Sequence, residues 1–262
     1  HGLAVAMFTF SALLAAAGSY KAKLRGFRFD LKWVAACLWL ILFASKSQAA
    51  LLYSLIAVPL ILWMSPKLQL RVALVAGVVL LLYPVARGAD LVPVDDIRSW
   101  VASEYGEEKV SSIMMRFDNE EVLLERANER PIFGWGGYCR PCVLDEITGE
   151  PSSVADGDWV ITLGTSGYLG FLGKYLLLVL PILFAARRLK FIRSASDRRL
   201  IAALALIVGF SAFDLLPNGN FNYLVFVFAG VLLGCTGGIL REQAAAASRA
   251  AAAKAAAANA PA

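Results

Sequence analysis

Histidine, cysteine and charged residues are scarce in this sequence of 262 residues. It contains one histidine and four cysteines, and charged residues make up 17% of it. Four cysteines are too few for a disulfide scaffold, and Cys37 and Cys235 lie in apolar runs, where packing explains them. Hydrophobic residues make up 59% of the chain and its mean hydropathy is +0.64. That composition is too apolar for a soluble domain of this length.

Acidic residues are scarce everywhere except in one segment. Residues 87–157 contain 15 of the 20 Asp and Glu residues but only seven Lys and Arg residues, a net charge of −8. Most other basic residues lie in short loops beside apolar runs. This distribution is the positive-inside pattern of a membrane protein. It argues against nucleic acid, the partner that the overall charge of +5 would otherwise indicate.

Seven apolar segments are candidate spans, since a transmembrane helix needs about 20 apolar residues. Lys32 and Lys46 limit the second segment, and their side chains would have to extend towards the membrane surface. We therefore predict an all-α polytopic membrane protein with about seven transmembrane helices. The segments are residues 2–18, 31–45, 47–64, 69–86, 167–186, 200–217 and 221–240.

The basic loops also predict an orientation. Residues 19–32, 65–71 and 187–199 are rich in Lys and Arg and belong in the cytoplasm, so the acidic segment lies on the opposite side. Because the chain begins at His1 with neither an initiator methionine nor a signal peptide, we expect a fragment. The predicted organisation is four spans in 1–86, a large extracytoplasmic loop with amphipathic helices in 87–166 and three spans in 167–240. An alanine-rich cytoplasmic tail in 241–262 is predicted to be helical.

The large loop has its own local signals. Residues 115–130 predict an amphipathic helix that Pro131 ends. Arg116 would stand at the start of that helix, where a cation opposes the helix dipole, so anion binding is one reason for its presence. Arg126 and Arg130 are spaced for salt bridges with glutamates of the same helix.

Residues 139–142 form a Cys-Arg-Pro-Cys motif. A zinc site would need two more ligands, and no histidine is near. A redox motif would need a thioredoxin-like domain, which a loop of this size does not supply. An extracytoplasmic location favours a small disulfide-closed turn.

Two ionisable residues stand out within the predicted spans. Charges in a bilayer are costly unless they are paired or reach water. We expect Lys174 and Asp214 to pair, and the alternative is that each extends separately to the membrane surface. Lys46 and Gln48 form a polar turn that either contacts a lipid phosphate or caps two helices.

Three motifs, in this order, resemble those of the O-antigen ligase and polymerase family. The segment SKSQAAL at 45–51 resembles the family's Ser-x-Ser-Lys/Arg-Thr/Ala motif at the outer end of a helix. Arg116, followed by a helix and by RPIFGWG at 130–136, resembles its large-loop pattern. The segment GTSGYLGFL at 164–172 resembles its entry into the next span. The resemblance covers about residues 40–185, and family members usually have ten or more spans.

The resemblance implies a metal-independent glycosyltransferase without a cofactor in the bacterial inner membrane. Such enzymes transfer a glycan from an undecaprenyl-pyrophosphate donor to a saccharide or lipid acceptor on the periplasmic face, in surface polysaccharide biosynthesis. Arg116 matches the family's loop arginine, and a guanidinium suits a leaving diphosphate. The residues expected to bind substrate are Lys46, Gln48, Arg130 and Arg140.

One departure from the family concerns the base. The family commonly has a His-Asn pair at the end of the large loop, whereas this chain has Asp156-Gly157-Asp158-Trp159 there, and its one histidine is His1. Either Asp156 or Asp158 serves as the base, or the chain works differently or is inactive. Two other functions stay open, a transporter or flippase for a lipid-linked or anionic substrate and a catalytically silent partner in a polysaccharide assembly complex.

Overall fold

A computed structural model describes residues 2–24, 28–105, 107–145, 147–150, 152–153, 156–219 and 223–258. The chain is 78% helical, and no β-strand occurs among these described residues, so the all-α prediction is confirmed. His1 and the outer ends of the predicted seventh span and of the tail (221–222 and 259–262) lie outside them.

The helices follow one another with short connections, apart from the segment between α6 and α7. A 3-10 turn, Leu189–Phe191, follows α7. The helices are α1 (Gly2–Lys21), α2 (Leu31–Ala44), α3 (Gln48–Trp63), α4 (Pro66–Gly88), α5 (Val94–Tyr105), α6 (Glu107–Asn128), α7 (Asp158–Arg188), α8 (Ala195–Phe213) and α9 (Leu224–Ala258).

Four helices are long and apolar enough to cross a membrane, namely α1, α4, α7 and α9. Helices α2 and α3 are apolar but shorter. This set of helices is what a polytopic membrane protein requires, while the count of seven spans stays a prediction. The alanine-rich tail is helical as expected, because α9 continues to Ala258.

The loop helices differ from the prediction in two ways. Helix α6 begins at Glu107, because Val110 and Met114 extend its buried face and pack with Val101 of α5. Arg116 therefore lies in the interior of α6, and the argument that it opposes the helix dipole at a helix start is wrong. Helix α5, which the sequence analysis did not predict, completes a hairpin with α6.

The helices are arranged in two compact units. The first consists of His1–Leu74, Leu180–Val208 and Leu224–Ala262. In it α1 packs against α2 and α3, and the rings of Phe10 and Tyr53 meet edge to face with 6.1 Å between their centroids.

Helix α8 joins α1 within the first unit. A Cβ atom added to Gly18 would lie 2.6 Å from the Cβ of Ala203, so the two helices touch closely at this glycine. At the end of α1, the side chain of Arg199 donates to the carbonyl of Lys21 (2.9 Å). Such bonds satisfy carbonyls that the last turn of a helix leaves unpaired.

Lys46 and Gln48 also belong to the first unit. Lys46 connects α2 to α3 with a positive φ of 55°, and Gln48 is the first residue of α3. Both side chains are exposed, which agrees with the predicted polar turn.

The second unit consists of Val75–Val179 and Gly209–Tyr223. Helices α4 and α7 touch closely in it, since a Cβ on Gly77 would lie 2.9 Å from a methyl group of Val179. The amide of Asp158, at the start of α7, donates to the carbonyl of Leu215 (3.0 Å). This unit contains the large loop and most of the predicted site residues.

Candidate active site

Helix α7 is interrupted at Gly167, whose backbone angles (φ 62°, ψ −172°) are not helical. The segment Pro131–Gly136, which we call the docking turn, lies against this break. Four backbone hydrogen bonds join the two, so groups that the break removes from the helix ladder find new partners. The amides of Trp135 and Gly136 donate to the carbonyls of Gly164 (2.8 Å) and Thr165 (2.9 Å), and those of Tyr168 and Leu169 donate to the carbonyls of Pro131 (2.7 Å) and Ile132 (3.2 Å).

Two glycines make this close approach possible. Gly134 has φ 69°, and a Cβ there would lie 2.6 Å from the backbone nitrogens of Ser166 and Gly167. A Cβ on Gly167 would in turn collide with the carbonyl of Ile132. The two glycine motifs quoted from the sequence are therefore the two halves of one structural feature.

Trp135 fixes the docking turn to the end of α6. Its indole Nε1 donates to the carbonyl of Arg126 (2.8 Å). The guanidinium carbons of Arg126 and Arg130 lie 3.5 and 4.0 Å from the ring centroid. Arg126 also forms one of the predicted salt bridges, with Glu129 (2.6 Å), the residue that follows the end of α6. Arg130, a predicted substrate-binding residue, is thus positioned by stacking on Trp135.

The predicted catalytic residues Arg116 and Asp156 lie together. The Nε of Arg116 is 3.2 Å from a carboxylate oxygen of Asp156, and their side chains are 52% and 39% exposed. Half-exposed ion pairs contribute little to stability. Both groups are therefore accessible to a ligand, and separating them is not expensive.

Asp158, the other candidate base, has a different environment. Its side chain is 5% exposed, and the ammonium of Lys174 lies 2.7 and 3.0 Å from its two carboxylate oxygens. The hydroxyl of Tyr175 also donates to it. A buried carboxylate needs such partners, and this pair connects the two sides of the break in α7.

The pairing of Lys174 with Asp214 stays a prediction. The carboxylate of Asp214 is buried and accepts a hydrogen bond from the amide of Asn218 (2.9 Å). The cost of a charge within a predicted span indicates that Lys174 needs a partner, but it does not identify Asp158, which lies on the same helix.

Glu120 is a buried acid that the sequence analysis missed. It follows Arg116 by one helical turn and is 8% exposed, and its oxygens accept hydrogen bonds from Tyr83 (3.1 Å) and the indole of Trp159 (3.4 Å). Burial raises the pKa of Glu120, the charge of Asp156 adds to this, and the hydrogen bonds and a nearby arginine oppose it. No local pattern distinguishes Glu120 from the other loop acids, because its burial depends on helices distant in sequence.

Arg87, at the end of α4, is the second missed residue. It is 6% exposed, and its guanidinium donates to the carbonyl of Phe117 (3.2 Å) and to the carboxylate of Glu121 (3.4 Å). Helix α4 is thereby tied to α6. In the sequence Arg87 is only one of several cations at helix ends.

Arg140 lies in the turn closed by the predicted disulfide, which is present between Cys139 and Cys142. The side chain of Arg140 is exposed and lies beside Gly136, since a Cβ there would be 3.3 Å from its guanidinium. Arg140 lines a groove of about 670 Å³ together with Arg126, Glu125, Glu129 and Tyr138.

Comparison with known proteins does not identify a family. The sequence matches no protein-family model and no curated protein at a significant level. The resemblance to O-antigen ligases and polymerases therefore rests on the motifs, and the residue roles that it implies stay predictions.

Proposed function

We propose that this chain is a membrane glycosyltransferase, or part of one, that transfers or polymerises a glycan from an undecaprenyl-pyrophosphate donor. The observation that carries the proposal is the accessible ion pair between Arg116 and Asp156. Glycosyl transfer from a lipid pyrophosphate needs a cation for the leaving diphosphate and a base for the acceptor hydroxyl. This pair supplies one group of each kind at the surface of the large loop.

The two groups act in sequence. The donor diphosphate replaces Asp156 as the partner of Arg116, because a guanidinium binds two phosphate oxygens at once. The released carboxylate accepts the proton of the acceptor hydroxyl. The hydroxyl oxygen then bonds to the anomeric carbon as the bond to the diphosphate breaks, and the diphosphate leaves with its charge held by Arg116.

The other predicted residues have supporting roles. Arg130 and Arg140 add positive charge for the donor or for an acidic glycan, and Lys46 and Gln48 contact a lipid phosphate. We assign Asp158 to structure instead of catalysis, because Lys174 and Tyr175 occupy its carboxylate.

The proposal includes a multi-pass arrangement in the bacterial inner membrane. Helices α1–α4 and α7–α9 would form seven spans, with the large loop periplasmic and the tail cytoplasmic. The basic residues that end α7 and begin α8 support this orientation. Helices α2 and α3, of 14 and 16 residues, are short for a core of about 30 Å, so the bilayer would have to thin around them.

The experiment is transfer of radiolabelled glycan from a purified undecaprenyl-pyrophosphate donor by the reconstituted protein. We expect Arg116→Ala and Asp156→Asn each to lower the rate at least 100-fold, in line with loss of an electrostatic or acid–base group. Arg116→Lys should recover part of the rate, since an ammonium supplies charge without the bidentate geometry.

The matched controls lie on the same loop. Arg98 of α5 and Asp118 of α6 are exposed side chains of the same two types. Arg98→Ala and Asp118→Asn should keep the wild-type rate. Full transfer by both Arg116→Ala and Asp156→Asn would contradict the proposal.

One observation favours a second function, a transporter or flippase of a lipid-linked or anionic substrate. Interrupted helices with buried charges form the substrate sites of many transporters, and α7 has both an interruption at Gly167 and the buried Asp158–Lys174 pair. Movement of the lipid-linked donor across vesicle membranes without glycan transfer would select this function.

A further inference from the structure

The docking turn lies at a particular depth along α7. The apolar part of this helix ends at Arg187 and Arg188. A hydrocarbon core of about 30 Å is crossed by about 20 helical residues, so counting back from Arg187 puts the opposite edge of that core near Gly167. The docking turn is bonded to α7 at this residue. Hydropathy alone assigns the same turn to an aqueous loop.

The tip of the docking turn is apolar and uncovered. Ile132 and Phe133 are 62% and 72% exposed. Next to them on α7, Leu169 and Leu172 are 60% and 44% exposed, and the amide of Leu169 bonds to the carbonyl of Ile132. The tip therefore continues an apolar surface of a helix that is long enough to cross the membrane. Contiguous exposed apolar surfaces of this kind mark contact with a membrane or another protein.

The polar parts of the turn suit a membrane boundary. Its backbone bonds to α7 satisfy groups that lipid could not. Behind the apolar tip lies Trp135 with the guanidiniums of Arg126 and Arg130 over its ring. Tryptophan and long cationic side chains are favoured at the headgroup level, where an apolar body and a polar end are both accommodated.

We propose that the docking turn is a membrane-inserted wedge, in which Ile132 and Phe133 contact the acyl chains of the outer leaflet. Trp135 and Arg130 then lie at the level of the lipid phosphates. The wedge holds the end of α6 at the membrane surface, where the phosphate groups of a lipid-linked substrate also lie. It depends on α7 crossing the membrane as in the proposed arrangement, but not on glycosyl transfer.

The test is the depth of a nitroxide spin label attached to a single cysteine. The full chain carries Cys37→Ser and Cys235→Ser, keeps its disulfide, and is reconstituted in bilayers of phosphatidylethanolamine and phosphatidylglycerol. Labels at Ile132→Cys and, in a second variant, Phe133→Cys should collide often with oxygen and rarely with a water-soluble nickel chelate. Leu169→Cys serves as the reference for a lipid-facing position.

The matched control is Ile147→Cys. Ile147 is the same residue type as Ile132, lies in the same loop and is 94% exposed, but it is not near the docking turn in sequence. The ratio of oxygen to nickel collisions should be severalfold higher at 132 and 133 than at 147. Equal ratios at all three positions would overturn the wedge, and so would protection from both reagents, which indicates burial against protein.

Because the readout is depth and not activity, its outcome is separate from that of the transfer assay. A labelled chain that inserts but transfers no glycan would keep the wedge and remove the proposed enzyme. A chain that transfers glycan while the label at position 132 lies in water would keep the proposed enzyme and exclude the wedge.

Discussion

Three acidic side chains of the second unit have different surroundings, and these decide what each can do. Asp156 is half-exposed beside Arg116, so it can exchange partners with a ligand. Asp158 is buried with Lys174, so its carboxylate is already paired with an ammonium from the other side of the break in α7. Glu120 is buried and accepts hydrogen bonds from uncharged donors, and this burial raises its pKa.

Glu120 makes the stability of the protein depend on pH. Burial raises its pKa above the usual 4.5 in the folded state, so the folded protein keeps this proton to a higher pH than the unfolded chain does. Its stabilising contribution is therefore present below about pH 4.5 and is lost as the pH rises through the raised pKa. We expect the unfolding midpoint of Glu120→Gln, relative to that of the wild type, to increase as the pH rises from 4.5.

The measurement is the thermal unfolding midpoint in detergent at several pH values. Glutamine cannot accept from both Tyr83 and Trp159 in the way a carboxylate does, so the variant carries a constant penalty that does not vary with pH. Glu125→Gln, an exposed acid on the same helix, is the control and should show a flat difference. If the difference in unfolding midpoint between Glu120→Gln and the wild type also stays constant with pH, Glu120 is not the source of the pH dependence.

The pair of Lys174 and Asp158 is expected to matter chiefly when only one partner is removed. Lys174→Met leaves a buried carboxylate without its ammonium, and breaking such a pair costs about 3 kcal/mol or more. The double variant Lys174→Met, Asp158→Asn has no charge at either of these two positions and should recover more than half of that loss. Unfolding midpoints of the two single variants and the double variant measure the coupling, and additive losses would show that the pair is not coupled.

At the scale of elements, the docking turn and the break in α7 depend on each other. The break frees backbone groups at Gly164–Leu169, and the turn supplies their partners. Each conformation would leave backbone groups unpaired without the other, and unpaired backbone groups away from water are costly. The glycines of both segments are therefore expected to be required together.

We predict that Gly134→Ala and Gly167→Ala each lower the unfolding midpoint by several degrees. A positive φ costs a residue with a Cβ about 1–3 kcal/mol, and the added atom also collides with the opposite segment. Gly173→Ala is the control in α7, since nothing lies within 4 Å of a Cβ at that position. Gly173→Ala should be neutral or slightly stabilising, as alanine is in a helix interior. Equal decreases in the unfolding midpoint at all three positions would show that the contact between the docking turn and α7 is not the cause.

The sequence predicts some elements well and others poorly, for physical reasons. Apolar segments and the alanine-rich tail become helices because hydropathy and helix propensity are local properties. The start of α6 was misplaced because Val110 and Met114 gain their burial from α5, which has too few apolar residues to be recognised by itself. The close approach of the glycines around Trp135 to Gly167 follows only from the tertiary contact, which no local pattern reveals.

The candidate site shows the same limit. The motif resemblance identifies Arg116 as a candidate, and the absence of the family's His-Asn pair identifies Asp156. Their contact cannot be predicted from the sequence, because 40 residues separate them. Glu120 and Arg87 could not be chosen, because their burial is produced by the packing of α4 against α6. The charged residue types in the sequence identify candidate site residues, whereas the structure is needed to tell which of them are exposed to a ligand and which are buried.

At the scale of the whole molecule, the asymmetry of charge is the main guide to orientation. The acidic segment lies between α4 and α7, and basic residues concentrate at the ends of the apolar helices away from it. Four helices are long and apolar enough to span a bilayer, and α2, α3 and α8 decide between four crossings and a larger number. Lys46 lies in the turn between α2 and α3 and Lys67 in the first turn of α4, and the proposed seven-span arrangement puts these two residues on opposite sides of the membrane.

We predict that a membrane-impermeant maleimide labels Lys46→Cys in intact cells, whereas it labels Lys67→Cys only after the inner membrane is permeabilised. Both positions are exposed, so differences in labelling report the side of the membrane and not burial. In the background without Cys37 and Cys235, Ile147→Cys serves as the outer reference and Ala245→Cys as the inner one. If Lys46→Cys and Lys67→Cys react on the same side, α3 does not cross the membrane. Lys46 could then contact an outer-leaflet phosphate only if the end of α2 lies on the outer side without a crossing by α3.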